Sequence, residues 1–141
     1  MTESEPDSRV RRAQALERQR AAESRQAAEL IEGFVAAAVE AGIAPERLTV
    51  RPFGGGSRYR TALEGWYLKR DKSVGVGTDG KFYVLSIPSS FKARLAGATI
   101  APSDPPLELG KGGRDGESMP MAEALAKRLA GGNSWGSSQG S

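Results

Sequence analysis

The residues Gly75-Val76-Gly77-Thr78-Asp79-Gly80 spell G-x-G-x-x-G. In dinucleotide-binding proteins that spacing lets the backbone approach a pyrophosphate, which then rests on the N-terminus of the helix that follows. Here the next residues are Lys81-Phe82-Tyr83-Val84-Leu85-Ser86-Ile87, aromatic and aliphatic strand sequence, so the helix is missing. A kinase-type glycine loop is a hairpin and suits this context better. It also needs a strand lysine, a catalytic Asp with its Asn, and a magnesium-binding Asp in a second lobe, and the chain has no such set. Asp79-Gly80 instead predicts a tight two-residue type I′ turn that pairs Thr78 with Lys81. Gly75 and Gly77 then share a face opposite Val84 and Phe82, leaving room for Trp66 or Tyr83.

Two further motifs invite a chemical reading. Gly110-Lys111-Gly112-Gly113-Arg114-Asp115-Gly116-Glu117-Ser118 lacks the lysine that a Walker phosphate loop places before its Ser. It leads toward a helix N-terminus, which makes Lys111, Arg114 and Ser118 the candidate small-anion site. Ser89-Ser90-Phe91-Lys92 matches S-x-x-K, but the companion elements of serine–lysine enzymes are absent, and helix capping accounts for the serines. The chain contains no Cys and no His. Thiol and Ser-His-Asp nucleophiles, thiolate and imidazole metal sites and disulfides are therefore excluded. No carboxylate pair stands out as an acid–base couple. The sequence assigns no catalytic residue, metal ligand or cofactor, and a non-catalytic protein is expected.

Charge is the stronger signal. Residues 44–94 hold ten basic against four acidic residues and seven of the nine aromatics. Arg58, Arg60, Lys69, Arg70 and Lys72 interleave with Tyr67 and Tyr83, the arrangement by which a sheet holds single-stranded nucleic acid through phosphate contacts and stacking. Strand alternation must, however, send about half of such rings inward. A second surface is offered by Arg11, Arg18 and Arg25, which recur every seven residues along a polar helix and face an acidic partner. These residues form the candidate binding surfaces. The expected role is that of a small adaptor engaging a protein partner. The alternatives are a nucleic-acid module built on the basic aromatic sheet and, third, a binder of or enzyme for a phosphorylated or acidic small ligand.

The elements that must carry these side chains are readable from periodicity. From about Ser8 to Ala41 a Pro-free, Ala/Arg/Glu/Gln-rich run predicts one long helix, ended by Gly42 and Pro45. Its second half has an apolar face of Leu30, Ile31, Phe34, Val35, Ala38 and Val39, whereas its first half has only Val10 and Leu16 as large apolar residues. Strands follow at 48–53, 58–70 (bent at Gly65), 73–78 and 81–87. A short helix is expected after Ser90, a short strand near 107–109, and a final helix opened by Ser118 and Pro120 with Met121, Leu125 and Leu129 on one stripe. The fold class is α+β: a long N-terminal helix, a three- to five-stranded antiparallel meander, and a short helix and a C-terminal helix packed on one sheet face. The organisation is a flexible acidic tip and Arg-rich arm over 1–27, one domain over 28–131 and a disordered Gly/Ser tail over 132–141. The acidic start lacks an apolar signal region and no run approaches membrane-span length, so a cytoplasmic protein without membrane contact is expected. The bias toward Ala, Arg and Gly resembles that of GC-rich bacterial genomes.

The change in apolar density along the first helix generates a test. Amide hydrogen exchange is expected to be fast over Arg11–Arg25 and slow over 28–41. Strong protection of Arg11–Arg25 would mean that the arm packs on its own domain or on a second copy.

Overall fold

The computed structural model describes residues 5–52, 56–88, 100–110 and 118–135. The expected short helix after Ser90 and the tail beyond Trp135 lie outside them. Helix α1 (Glu5–Glu40) begins three residues earlier than the sequence pattern indicates, because a proline such as Pro6 is compatible with a first helical turn. Residues 9–23 are all exposed, and burial begins at Ala27. The helix stops in a Schellman motif. Gly42 takes φ 74°, its N–H donates to the Val39 carbonyl (3.1 Å), and the Ile43 N–H donates to the Ala38 carbonyl (2.9 Å). Ile43 and Ala38 are both buried, completing the hydrophobic contact of that motif.

The strands are β1 (Glu46–Pro52), β2 (Tyr59–Tyr67), β3 (Val74–Gly77), β4 (Phe82–Val84) and β5 (Ser86–Ile87). They form one sheet in the order β4-β3-β2-β1-β5. The α+β class and the antiparallel β1–β2–β3–β4 meander are as expected, but the sheet is mixed: β5 pairs parallel to β1, Arg51 opposite Ser86. Residues 81–87, expected as one strand, change partner at Leu85. Its N–H donates to the Ser73 carbonyl (2.8 Å) and its carbonyl accepts the Arg51 N–H (3.0 Å). The two edge strands are thus consecutive pieces of one stretch of chain, and the sheet curls round to meet itself.

Curling gives the sheet an inner and an outer face. Inside lie Leu48, Val50, Tyr67, Tyr83 and Leu85. Outside, Trp66, Leu68, Val76 and Phe82 meet Ile31, Phe34 and Ala38 of α1 and Met121, Ala124 and Leu125 of α2 (Met121–Gly131). The Trp66 indole donates to the Ile43 carbonyl (3.0 Å) and stands edge-on to Phe34 at 5.6 Å, satisfying its polar end inside an apolar layer. Before α2, β6 (Glu108–Leu109) pairs with β7 (Met119–Pro120). Pro120 takes the N-cap position of α2 without a side-chain cap, so Ser118 does not open the helix. In β2 the register against β1 slips at Thr61–Leu63, opposite Leu48. The Thr61 hydroxyl holds the bulge, donating to the Leu48 carbonyl (2.9 Å) and accepting the Leu63 N–H (3.0 Å). Gly65 is required because a Cβ there would run into the Val76 carbonyl oxygen of the neighbouring strand.

The G-x-G-x-x-G stretch is a hairpin, with a register one residue away from the expected one. Gly75 faces Tyr83 and Val76 faces Phe82. The Gly80 N–H donates to the Gly77 carbonyl (2.9 Å), Gly77 and Lys81 close the loop, and among Thr78, Asp79 and Gly80 only Gly80 has positive φ, 80°. This is a three-residue loop, a type I turn followed by a left-handed glycine. The type I′ alternative would have forced Asp79 to positive φ as well. Instead its carboxylate accepts the Lys81 N–H (2.9 Å), the local bond that Asp supplies in turns. Tyr83 takes the room left by Gly77, whose Cβ would lie 3.1 Å from the ring.

The turn geometry sets an expected outcome. Gly80→Val should cost on the order of 1–2 kcal/mol or more, since a β-branched residue is forced into the left-handed region, while Lys81→Ala changes little. Chemical denaturation of both variants measures this, and an unperturbed Gly80→Val protein would contradict the turn assignment.

Candidate functional site

The β2–β3 hairpin carries Lys69, Arg70 and Lys72, and its loop has the same form as the β3–β4 loop. The Lys72 N–H donates to the Lys69 carbonyl (2.9 Å), and the Asp71 carboxylate accepts both the Ser73 N–H (3.0 Å) and the Ser73 hydroxyl (2.6 Å). On one side this hairpin faces α2 across an open groove of about 700 Å³. Leu68, Met119, Ala124 and Trp135 supply its apolar surface, and Lys69, Arg70 and Lys127 bring positive charge against Asp71. Lys127 is also bridged to Glu123 at 3.2 Å, an exposed pair of small energetic weight.

Trp135 holds the site together although it belongs to a segment expected as tail. Residues Gly132–Ser134 form a 3-10 turn after α2. The Asn133 side chain fastens that turn to the end of α1, donating to the Gly42 carbonyl (3.0 Å) and accepting the Ala44 N–H (2.8 Å). The indole of Trp135 then sits near two guanidinium groups, Arg128 at 4.6 Å and Arg70 at 5.8 Å from its centroid. Such cation–ring contacts fix the ring's orientation. Arg128 is buried, donates from Nη1 to the Gly132 carbonyl (2.9 Å) and leaves Nε unpartnered. Burial pushes its pKa down, partly opposed by Glu46. The guanidinium nonetheless keeps its charge, because its ordinary value is so high.

The sequence-derived site residues separate into groups. Lys69, Arg70 and Lys72 are brought together on the hairpin, with Arg58 beside them. The Arg58 Nε donates to the Thr49 hydroxyl (2.9 Å) and its Nη2 to the Lys72 carbonyl (3.3 Å). Arg60 is exposed on β2. Arg11, Arg18 and Arg25 are exposed on α1, along the arm and apart from the hairpin. Lys111 and Arg114 fall outside the described residues, and Ser118 is exposed just before β7. Tyr67 and Tyr83 are not exposed rings: they are 2% and 3% accessible and fill the inside of the curled sheet. The Tyr67 hydroxyl accepts the Thr49 N–H (3.0 Å), and Lys72 lies 5.3 Å from the ring centroid. The Tyr83 hydroxyl donates to Asp79 (2.6 Å). Reading by sequence did not single out Trp135, Arg128 or Asn133. The available signal was Trp135 itself, a large aromatic isolated in a Gly/Ser stretch.

Among the described residues no group of three His, Cys, Asp or Glu comes together that could hold a metal ion, and no helix is long and apolar enough to cross a membrane. Set against known protein families, curated proteins and solved structures, the chain matches none.

Tyr83 offers a titration that reads the inner packing. Burial first, then the hydrogen bond to Asp79 and its negative charge, raise the phenol from 10.0 to about 12. The protonated form is favoured in the folded state, so this contribution is complete below pH 10 and is lost as pH rises toward 12, about 3 kcal/mol in all. Phenolate absorbance should show a late titration that Tyr83→Phe removes, and Asp79→Asn should bring it to lower pH. Titration of Tyr83 near 10 would contradict the geometry.

Proposed function

We propose that the chain is a non-catalytic cytoplasmic binding protein that engages an acidic segment of a protein partner through the groove between the β2–β3 hairpin and α2. The observation carrying this reading is the combination of an apolar floor, Leu68, Met119, Ala124 and Trp135, with a basic rim of Lys69, Arg70 and Lys127. An apolar side chain of the partner is taken out of water on the floor while carboxylates beside it meet the rim, so that affinity comes from the first and orientation from the second. The groove is of the size that pockets for small ligands and side chains occupy. The Arg11, Arg18 and Arg25 stripe of α1 supplies a second, more distant contact for an acidic partner. Single-stranded nucleic acid, the competing reading, would use the same cations but has no ring from Tyr67 or Tyr83 to stack on.

Trp135 gives the test its signal, because the other indole, Trp66, is fully buried. A short Asp/Glu-rich peptide carrying one leucine should change the Trp135 emission saturably. The same peptide with serine for leucine should bind more weakly, and Arg70→Glu with Lys127→Glu should lower affinity about tenfold. A labelled single-stranded oligonucleotide should not displace the peptide at physiological salt. Displacement there, or indifference to the charge reversals, would overturn the reading.

A further inference from the structure

A second, smaller cleft lies against the same hairpin, and Asp71 is the only residue lining both it and the groove. Its volume is about 80 Å³, the space of two or three waters. Arg51, Arg58, Lys72, Ser73 and Ser86 line it with Asp71. Three cationic residues and one acid thus share the lining, and the acid's carboxylate is already committed to the Ser73 N–H and hydroxyl. Neither Arg51 nor Lys72 has a carboxylate partner among the described residues. Arg58 is held in place from two sides by Thr49 and the Lys72 carbonyl, and Thr49 is itself anchored to the Tyr67 hydroxyl. Uncompensated cations brought together around a cleft repel one another unless an anion enters it.

The backbone supplies an independent observation. Lys72 has φ 63° and is the only non-glycine with positive φ among the described residues. Its counterpart in the β3–β4 loop is Gly80, at φ 80°. The two loops share their length, their turn hydrogen bond at 2.9 Å and their Asp-to-backbone bond. The loop geometry thus favours glycine at this position and is met by glycine in one hairpin. In the other a lysine is kept there at a cost in strain; it is one of the residues lining the cleft, and its ammonium lies 5.3 Å from the Tyr67 ring centroid. Strain retained against an available relief points to a role for the side chain.

We propose that this cleft is a binding site for one tetrahedral oxyanion of the phosphate class. Arg51 and Arg58 supply planar, charge-assisted donors, and Lys72 adds a third positive charge. The volume admits a phosphoryl group and not a nucleoside, so the ligand is either free phosphate or a phosphoryl group carried on a side chain.

The site and the groove can be tested separately. Inorganic phosphate, and in parallel a short neutral peptide containing phosphoserine, are titrated into isotope-labelled protein at ionic strength held constant with sodium chloride. Saturable shifts at the amides of Lys72, Ser73 and Ser86 are expected. Tighter binding of inorganic phosphate assigns the free anion, and tighter binding of the phosphopeptide assigns a carried phosphoryl group. Lys72→Gly should melt at higher temperature than the parent in the absence of phosphate, yet bind about fivefold more weakly. Arg51→Gln, altering an exposed side chain with no hydrogen bond to another described residue, should weaken binding without lowering the melt. Shifts that grow linearly with concentration, shifts that appear equally along Arg11–Arg25, or parental affinity in Lys72→Gly would each overturn the proposal.

Discussion

The change of partner at Leu85 is the constraint from which most of the structure follows. Because one residue donates to Ser73 and accepts from Arg51, a single stretch of chain serves both edges of the sheet. The sheet must therefore curl tightly, and a tight curl has a small interior. Gly75 and Gly77 leave that interior open where Leu48, Leu85 and Tyr83 need room, while Tyr67 and Tyr83 fill it. A buried tyrosine needs a partner for its hydroxyl. Thr49 provides it for one ring and the turn residue Asp79 for the other. Asp79 thereby links the loop to the core, since the same carboxylate that accepts the Lys81 N–H also accepts a hydrogen bond from the Tyr83 hydroxyl.

Closure also sorts charge from aromatic surface. In the stretch from Tyr59 to Lys72 the rings and the cations lie close together in sequence, yet the fold sends Tyr67 inward and Trp66 against the helices while Arg60, Arg70 and Lys72 remain outside. The exterior around the hairpin is thus basic without being aromatic. Among the described residues the aromatic side chain offered there is Trp135, which arrives from the end of α2 and is kept in position by Asn133 and the two arginines.

The long helix, the α2 stripe of Met121 and Leu125 and the run of strands were legible because each rests on a local period that packing did not overrule. The Schellman stop was legible too, since only Gly42 can follow such a helix at φ 74°. The parallel β1·β5 pair was not. Two residues, Ser86 and Ile87, carry it, and their pairing depends on a chain reversal that no local pattern encodes. The hairpin register slipped by one residue for a similar reason: Asp79-Gly80 suits two loop types, and the choice rests on where Tyr83 can be buried. Of the candidate site, the cations of the hairpin were visible as composition. Their assembly with Lys127 and Trp135 was not, because it joins residues far apart in the chain across the α2 interface.

Asp71 concentrates what remains. It lines both the groove and the small cleft, and its carboxylate is fixed by Ser73 within a loop of three residues. A carboxylate in that position lowers the positive potential on both sides at once, yet it cannot swing to pair with Arg70 or Lys72 without giving up the turn. Among the described residues no carboxylate is paired with Arg70 or Lys72, and the loop geometry holds the Asp71 carboxylate on Ser73. The hairpin thus spends its acidic residue on its own backbone, while Arg70 and Lys72 turn to the rings of Trp135 and Tyr67.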